Sequence, residues 1–229
     1  MKTKNPFRVP AVAAGALAVA LLGAACGSDT ASTTTSGAPQ SSGSTPSSNS
    51  TTYTATLAPV PLNGANGASG KLTLVLSGNQ ATITEQVSGL AATFMGAAYP
   101  HVQHIHGGAM GMCPTASADA NKDGVISTTE GGPAYGAIQT TLSVSGDTSP
   151  AAGTNIMIAP SGGSLNYSRN ITLDAATMQS LQAGTAVIVV HGLDPALAAP
   201  AATSSKSELV PSLPLAATSP ALCGTLTHS

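Results

Sequence analysis

From Lys71 to Ser77 apolar and polar residues alternate; Gly78 and Asn79 interrupt the run, and alternation resumes from Ala81 to Val87. Period-two patterning on either side of a Gly-Asn pair predicts a β-hairpin with one face against a core. A strand is expected before it, over Thr52–Val60. Others are expected over Val102–His106, Ala137–Val144, Asn155–Ala159, Asn170–Leu173, Ala186–His191 and Leu222–Thr227, with Gly, Pro, Asn and Ser between them. One short helix is predicted, because Asp174 can cap the free N–H groups of Ala175–Ala183 and Gly184 can end it. Gly107–Ala118 and Gly131–Gly136 are rich in Gly and Pro and read as non-helical, and Pro195–Pro220 reads as a long irregular loop. Many short strands with one minor helix predict an all-β fold, a β-sandwich or barrel.

The first residues follow a different pattern. Lys2, Lys4 and Arg8 precede an apolar run from Val9 to Ala25 that ends in small residues. These are the parts of a secretory signal peptide, assigned to residues 1–25, and the run is too short and too rich in Ala and Gly for a membrane span of about 20 residues. The stretch Leu21–Ser28 resembles the lipobox of bacterial lipoproteins. That resemblance implies lipidation of Cys26 and a lipid anchor on the outer face of the cell membrane. Gly23 stands where that pattern has Leu, and the alternative is a plainly secreted chain. Residues 26–52 are nearly all Ser, Thr, Gly, Ala, Pro and Asn, a composition that cannot bury enough apolar surface to order itself and reads as a flexible linker. One domain is expected over 53–229.

Charge and cysteine content narrow the partners. Beyond Cys26 only Lys71, Lys122, Arg169 and Lys206 are basic, against all nine Asp and Glu. Nucleic acid needs clustered Lys and Arg, so it is excluded as a partner. With Cys26 acylated, Cys113 and Cys223 are left as a pair in an oxidising compartment, where a disulfide is the default.

Two segments carry candidate metal chemistry. The twelve residues Asp119–Glu130 match the calcium loop of an EF-hand. Asp119, Asn121, Asp123, the carbonyl of Val125, Ser127 and Glu130 fall at the ligand positions, and Gly124 falls at the sharp turn. Without helical flanks this reads as an isolated Ca2+ loop inserted in a β domain; the bland alternative is an Asx-rich turn without an ion. The second segment is His101-Val-Gln-His104-Ile-His106. Residues two apart on a strand share a face, so His104 and His106 can reach one ion, and imidazole suits copper or zinc. His101 has the opposite parity. His191 ends the apolar run Val187–Val190, from which a third ligand is expected to arrive across the sandwich.

His104-Ile-His106, Cys113, Ala186–His191 and Leu222-Cys223-Gly224 stand in an order similar to that of copper-zinc superoxide dismutases, most of all the lipoprotein forms of actinobacteria. The resemblance implies a Greek-key β-barrel, copper on His104, His106 and His191, and a Cys113–Cys223 disulfide. Val87–Leu90 leading to His104–Gly107 is also similar to CHRD domains. The chain departs from the dismutase pattern where catalysis depends on it. No His lies between His106 and His191 to bridge copper to zinc, and Pro220 stands where those enzymes carry a guiding Arg. A zinc site of the family's kind is therefore not expected, and enzyme activity is left open.

Two functions follow. One is a membrane-anchored copper protein, either a divergent dismutase or a copper-holding protein. The other is a non-catalytic CHRD-like module, stabilised by calcium and a disulfide, that binds a protein or cell-wall partner. No Gly-x-Ser-x-Gly elbow, Gly-rich phosphate loop or Cys-x-x-Cys pair points to other chemistry. The Asn166 and Asn170 sequons are expected to be incidental, Tyr167 and Arg169 to lie on a solvated strand, and His228 to be a tail residue.

Overall fold

The computed structural model describes residues 50–229. The expected signal peptide, Cys26 and most of the expected linker lie outside the described residues. The strands are β1 (Thr51–Pro59), β2 (Ser69–Ser77), β3 (Gln80–Ser88), β4 (Thr93–Phe94), β5 (Ala97–Ala98), β6 (Gln103–Gly107), β7 (Ala137–Thr141), β8 (Ser164–Thr172), β9 (Val187–His191), β10 (Pro220–Thr225) and β11 (Thr227–His228). The helices are α1 (Thr128–Tyr135), α2 (Ala175–Gln182), α3 (Ala201–Ser204) and α4 (Leu215–Thr218).

Nine strands make one antiparallel sheet in the order β7-β6-β9-β10-β1-β2-β3-β8, with β11 added to β1. The sheet curls into a half-barrel. The β2–β3 hairpin forms as its alternation requires, with Ser77 opposite Gln80 and Gly78 in the left-handed region at φ 61°. Arg169 on β8 donates to the carbonyl oxygens of Ser143 and Gly146 and to Ser143 Oγ, linking that edge strand to the segment after β7.

Inward-facing residues fill the curl. Leu72, Leu74, Ile83, Ile105, Leu165, Ile188 and Leu222 belong to one large buried cluster. The concave face is not wholly apolar. Glu85 and Tyr167 sit opposite each other on β3 and β8, and both are buried. Burial pushes the Glu85 carboxyl up to about 8; Gln103, nearby but outside hydrogen-bonding geometry, pulls it only part of the way back. Tyr167 therefore points into the core rather than to solvent, and Arg169 is half-buried.

A second cluster lies on the other face of β9 and β10, where Val187, Val189 and Cys223 meet Val60, Ile126 and Tyr135. The segment that covers this face runs from β6 to β7. The Cys113–Cys223 disulfide ties it down, with a Cα–Cα separation of 5.7 Å and a sequence separation of 110. In the chain-entropy model a closed loop of that size is worth at most about 4.7 kcal/mol.

Three local expectations are corrected. Thr128–Tyr135 is helical despite Gly131, Gly132 and Pro133. Ser127 caps it reciprocally with Glu130, while the fully buried Tyr135 donates from its hydroxyl to the Thr128 carbonyl. Asn155–Ala159 is not a strand: Asn155 Oδ1 accepts from the amide N–H of Met157 and fixes a single 3-10 turn over Ile156–Ile158. The tract 195–220 is not wholly irregular, because it contains α3 and α4, packed around Leu193, Ala202, Leu215 and Ala216. The Asp174-capped helix forms as expected, with the carboxylate accepting from Thr177 N–H.

Candidate metal centre

β6 and β9 are hydrogen-bonded neighbours, with His104 opposite Val189 and His106 opposite Val187. Side chains directly opposite on paired strands share a face. His104, His106, Val187, Val189 and, by its parity, His191 therefore project to the side of the second cluster, away from the concave core. His191 reaches the other two histidines from the adjacent strand of the same sheet, not from across a sandwich. Strand pairing, rather than packing of two layers, builds the site.

The three imidazoles are buried, exposing between 1% and 2% of their surface. Their ring centroids lie 5.0 Å (His104–His191), 5.4 Å (His104–His106) and 5.8 Å (His106–His191) apart. One nitrogen from each falls within 4.8 Å of the others, the arrangement of a possible three-His metal site. In a tetrahedral site with Zn–N near 2.0–2.1 Å the nitrogens stand about 3.3 Å apart. An approach of up to about 1.5 Å between the nitrogens would complete it.

Each ring is oriented by a backbone carbonyl. His104 Nε2 lies 2.9 Å from the oxygen of Gly153, His106 Nδ1 2.9 Å from that of Gly136, and His191 Nδ1 2.7 Å from that of Thr218. A carbonyl only accepts, so each of these nitrogens carries the proton, and the opposite nitrogen carries a lone pair. Those opposite nitrogens, His104 Nδ1, His106 Nε2 and His191 Nε2, are buried and have no hydrogen-bond partner. A buried polar atom without a partner costs about 1–3 kcal/mol. Three together are the donor set that a metal ion would satisfy, and a ligating His commonly gives its other N–H to such a carbonyl.

Electrostatics keep the rings neutral. Burial lowers the affinity of all three for protons, and mutual repulsion adds to it at His104 and His106. His104 falls well below its ordinary 6.5, His106 to about 3 and His191 to about 4. A metal ligand must be deprotonated, so this environment holds the imidazoles ready for an ion.

The oriented carbonyls depend on close backbone packing. Gly136 has φ 90°, and a Cβ there would stand 2.0 Å from the carbonyl oxygen of Gly107. A Cβ on Gly153 would stand 2.7 Å from Ile138 Cδ1 and 3.3 Å from His104 Nε2. His101, of opposite parity, stays out of the cluster: its two nitrogens lie 2.9 and 3.0 Å from the carbonyl oxygens of His191 and Ala91. His228 pairs with β1 through Tyr53 and is exposed.

The Asp119–Glu130 loop lies on the segment that covers the second cluster, with Val125, Ile126 and Ser127 buried and Asp119, Asp123 and Glu130 half-buried. Its carboxylates already accept backbone N–H bonds. Asp119 accepts from Asp123 and Gly124, Asp123 from Val125, and Glu130 from Ala120, Asn121 and Ser127. The Asn121 amide bonds Asp123, and Ser127 serves as the cap of α1. Among the described residues the three histidines form the one group of three or more His, Cys, Asp or Glu placed to hold an ion. The carbonyls of Gly136, Gly153 and Thr218, which orient the rings, had no signal in the sequence. No protein-family model matches the chain, and no curated protein matches it.

Proposed function

We propose that this protein is an exported, lipid-anchored copper-binding protein that holds one ion on His104, His106 and His191, in a domain similar to copper-zinc superoxide dismutases and, as a Greek key, to their barrel. The observation that carries the reading is the donor set: three buried neutral imidazoles, each anchored through one nitrogen and unpartnered at the other. Three nitrogens with no carboxylate or thiolate suit copper or zinc, and of these copper follows the resemblance and binds more strongly to nitrogen sites. The ion would leave a coordination position open.

Copper holding is favoured over dismutation. Pro220, where the resemblance puts a guiding Arg, is buried, and its carbonyl accepts from Asn63 Nδ2. Superoxide is an anion, and steering it requires positive charge near the site. Calcium at Asp119–Glu130 is a secondary part of the proposal, supported by the residue pattern and by the capped helix that leaves the loop. An envelope-binding CHRD-like module without copper is the alternative.

Copper(II) titration of residues 53–229 followed by EPR tests the reading. The expected result is one tightly bound ion per chain with nitrogen hyperfine structure, lost in both His104→Ala and His191→Ala. A folded domain that takes up no stoichiometric copper would overturn it in favour of the module.

A further inference from the structure

Beside the histidines lies a partly enclosed cavity of about 30 Å³. His104 and His191 form part of its wall, and His106 does not. His106 is instead covered by Tyr135, whose ring centroid is 4.6 Å away, and bonded to the Gly136 carbonyl. Tyr135 thus covers the cluster on the His106 side, whereas the cavity abuts His104 and His191.

The wall is apolar. Val102 is buried, Ile138, Val210, Leu213 and Ala217 are half-buried, and Ile156 is exposed at the mouth. Threonines contribute the remaining polar surface, and no Asp, Glu, Lys or Arg lines it. A water needs about 10–15 Å³ on this scale, so the cavity has room for about two waters or one diatomic molecule. A hydrated anion does not fit. To enter, it must shed its water in an apolar passage, with no cationic side chain along the way to offset a desolvation cost of several kcal/mol. A neutral diatomic meets no such barrier.

Resting on the copper reading above, we propose that this cavity selects the ligand of the ion's open position, admitting small neutral molecules of the size of dioxygen or carbon monoxide and disfavouring small anions. The substrate class is therefore a neutral diatomic gas rather than a charged oxygen species. Selection lies in the passage and not in the donor set, so it can be altered without touching a ligand.

Carbon monoxide and azide are the probes. With the copper(I)-loaded protein, one C–O stretching band per bound copper is expected in the infrared under carbon monoxide. With the copper(II) form, azide is expected to perturb the EPR spectrum only at concentrations at least tenfold above those needed for an open tris-imidazole copper complex. Ile156→Trp fills the mouth and should weaken carbon monoxide binding at least tenfold with copper loading unchanged. Leu213→Arg places a cation on the wall and should strengthen azide binding at least tenfold. Fully loaded protein that forms no carbon monoxide adduct, or that takes azide as readily as the open complex, overturns the selection and leaves the copper reading intact. Failure to load copper at all overturns both.

Discussion

The histidine cluster and the Asp119–Glu130 loop are both metal-shaped in the sequence, and the fold treats them in opposite ways. The loop is matched at every ligand position, yet each carboxylate oxygen of Asp119, Asp123 and Glu130 already accepts a hydrogen bond. A cation there competes with, or shares, lone pairs that stabilise the loop without it. The cluster matches a much looser pattern, two histidines two apart and a third 85 residues later. Its three free nitrogens are nonetheless buried with nothing to bond. What separates a metal site from a metal-like sequence is how much an ion would satisfy that nothing else does.

The largest expected effect removes what the two regions share. Cys223→Ser releases the covering segment that carries both the loop and the Gly136 carbonyl above His106. It should lower stability by roughly 3–4.7 kcal/mol in chemical denaturation and weaken metal binding at the cluster. Copper uptake that survives this change undiminished would show that the sheet alone holds the site.

Copper separates the regions next. At a thousandfold excess over its dissociation constant, a ligand bound only by the folded state stabilises it by about 4.1 kcal/mol. Thermal unfolding should show that rise in the parent and in Glu130→Gln, and no rise in His106→Ala. An equal loss in Glu130→Gln would make the loop part of the copper site.

Acid should also divide them, in the metal-free protein. Native His106 and His191 hold protons only below about 3 and 4, while the unfolded chain takes them up near 6.5. Between those limits the unfolded state binds more protons, so stability falls as pH drops below about 6.5, with nothing lost above it. Each replaced histidine should reduce that slope by up to about 1.36 kcal/mol per pH unit. At Glu130, partial burial pushes the carboxyl up, but N–H bonds from Ser127, Asn121 and Ala120 outweigh this and hold it below 4.5. Its contribution is present above 4.5 and is lost only under more acidic conditions. Urea unfolding from pH 7 to 3 should show the histidine window first; a flat profile down to pH 4.5 would contradict the buried neutral cluster.

The smallest effects fall on the loop. Glu130→Gln keeps a capping residue of similar shape and should cost about 0.5–1 kcal/mol without calcium. One millimolar calcium, against a dissociation constant of 0.1–1 mM, should add only about 0.4–1.4 kcal/mol in the parent. A calcium shift larger than the copper shift would reverse the comparison.

Period-two alternation around Gly78-Asn79 determined the β2–β3 hairpin, because turn chemistry and a buried face act over a few residues. Asp174 determined its helix for the same reason. The parity of His104 and His106 gave them one face before any fold was known, and it set His101 apart. Other features depended on residues far along the chain. Thr128–Tyr135 became helical against its glycines and proline because Tyr135 is buried on β9 and β10. His191 arrived from the next strand because β6 and β9 pair, an outcome set by sheet order that no local pattern encodes. The proton positions of the three rings were decided by carbonyls at residues 136, 153 and 218, since a backbone oxygen looks the same in every residue until the fold directs it.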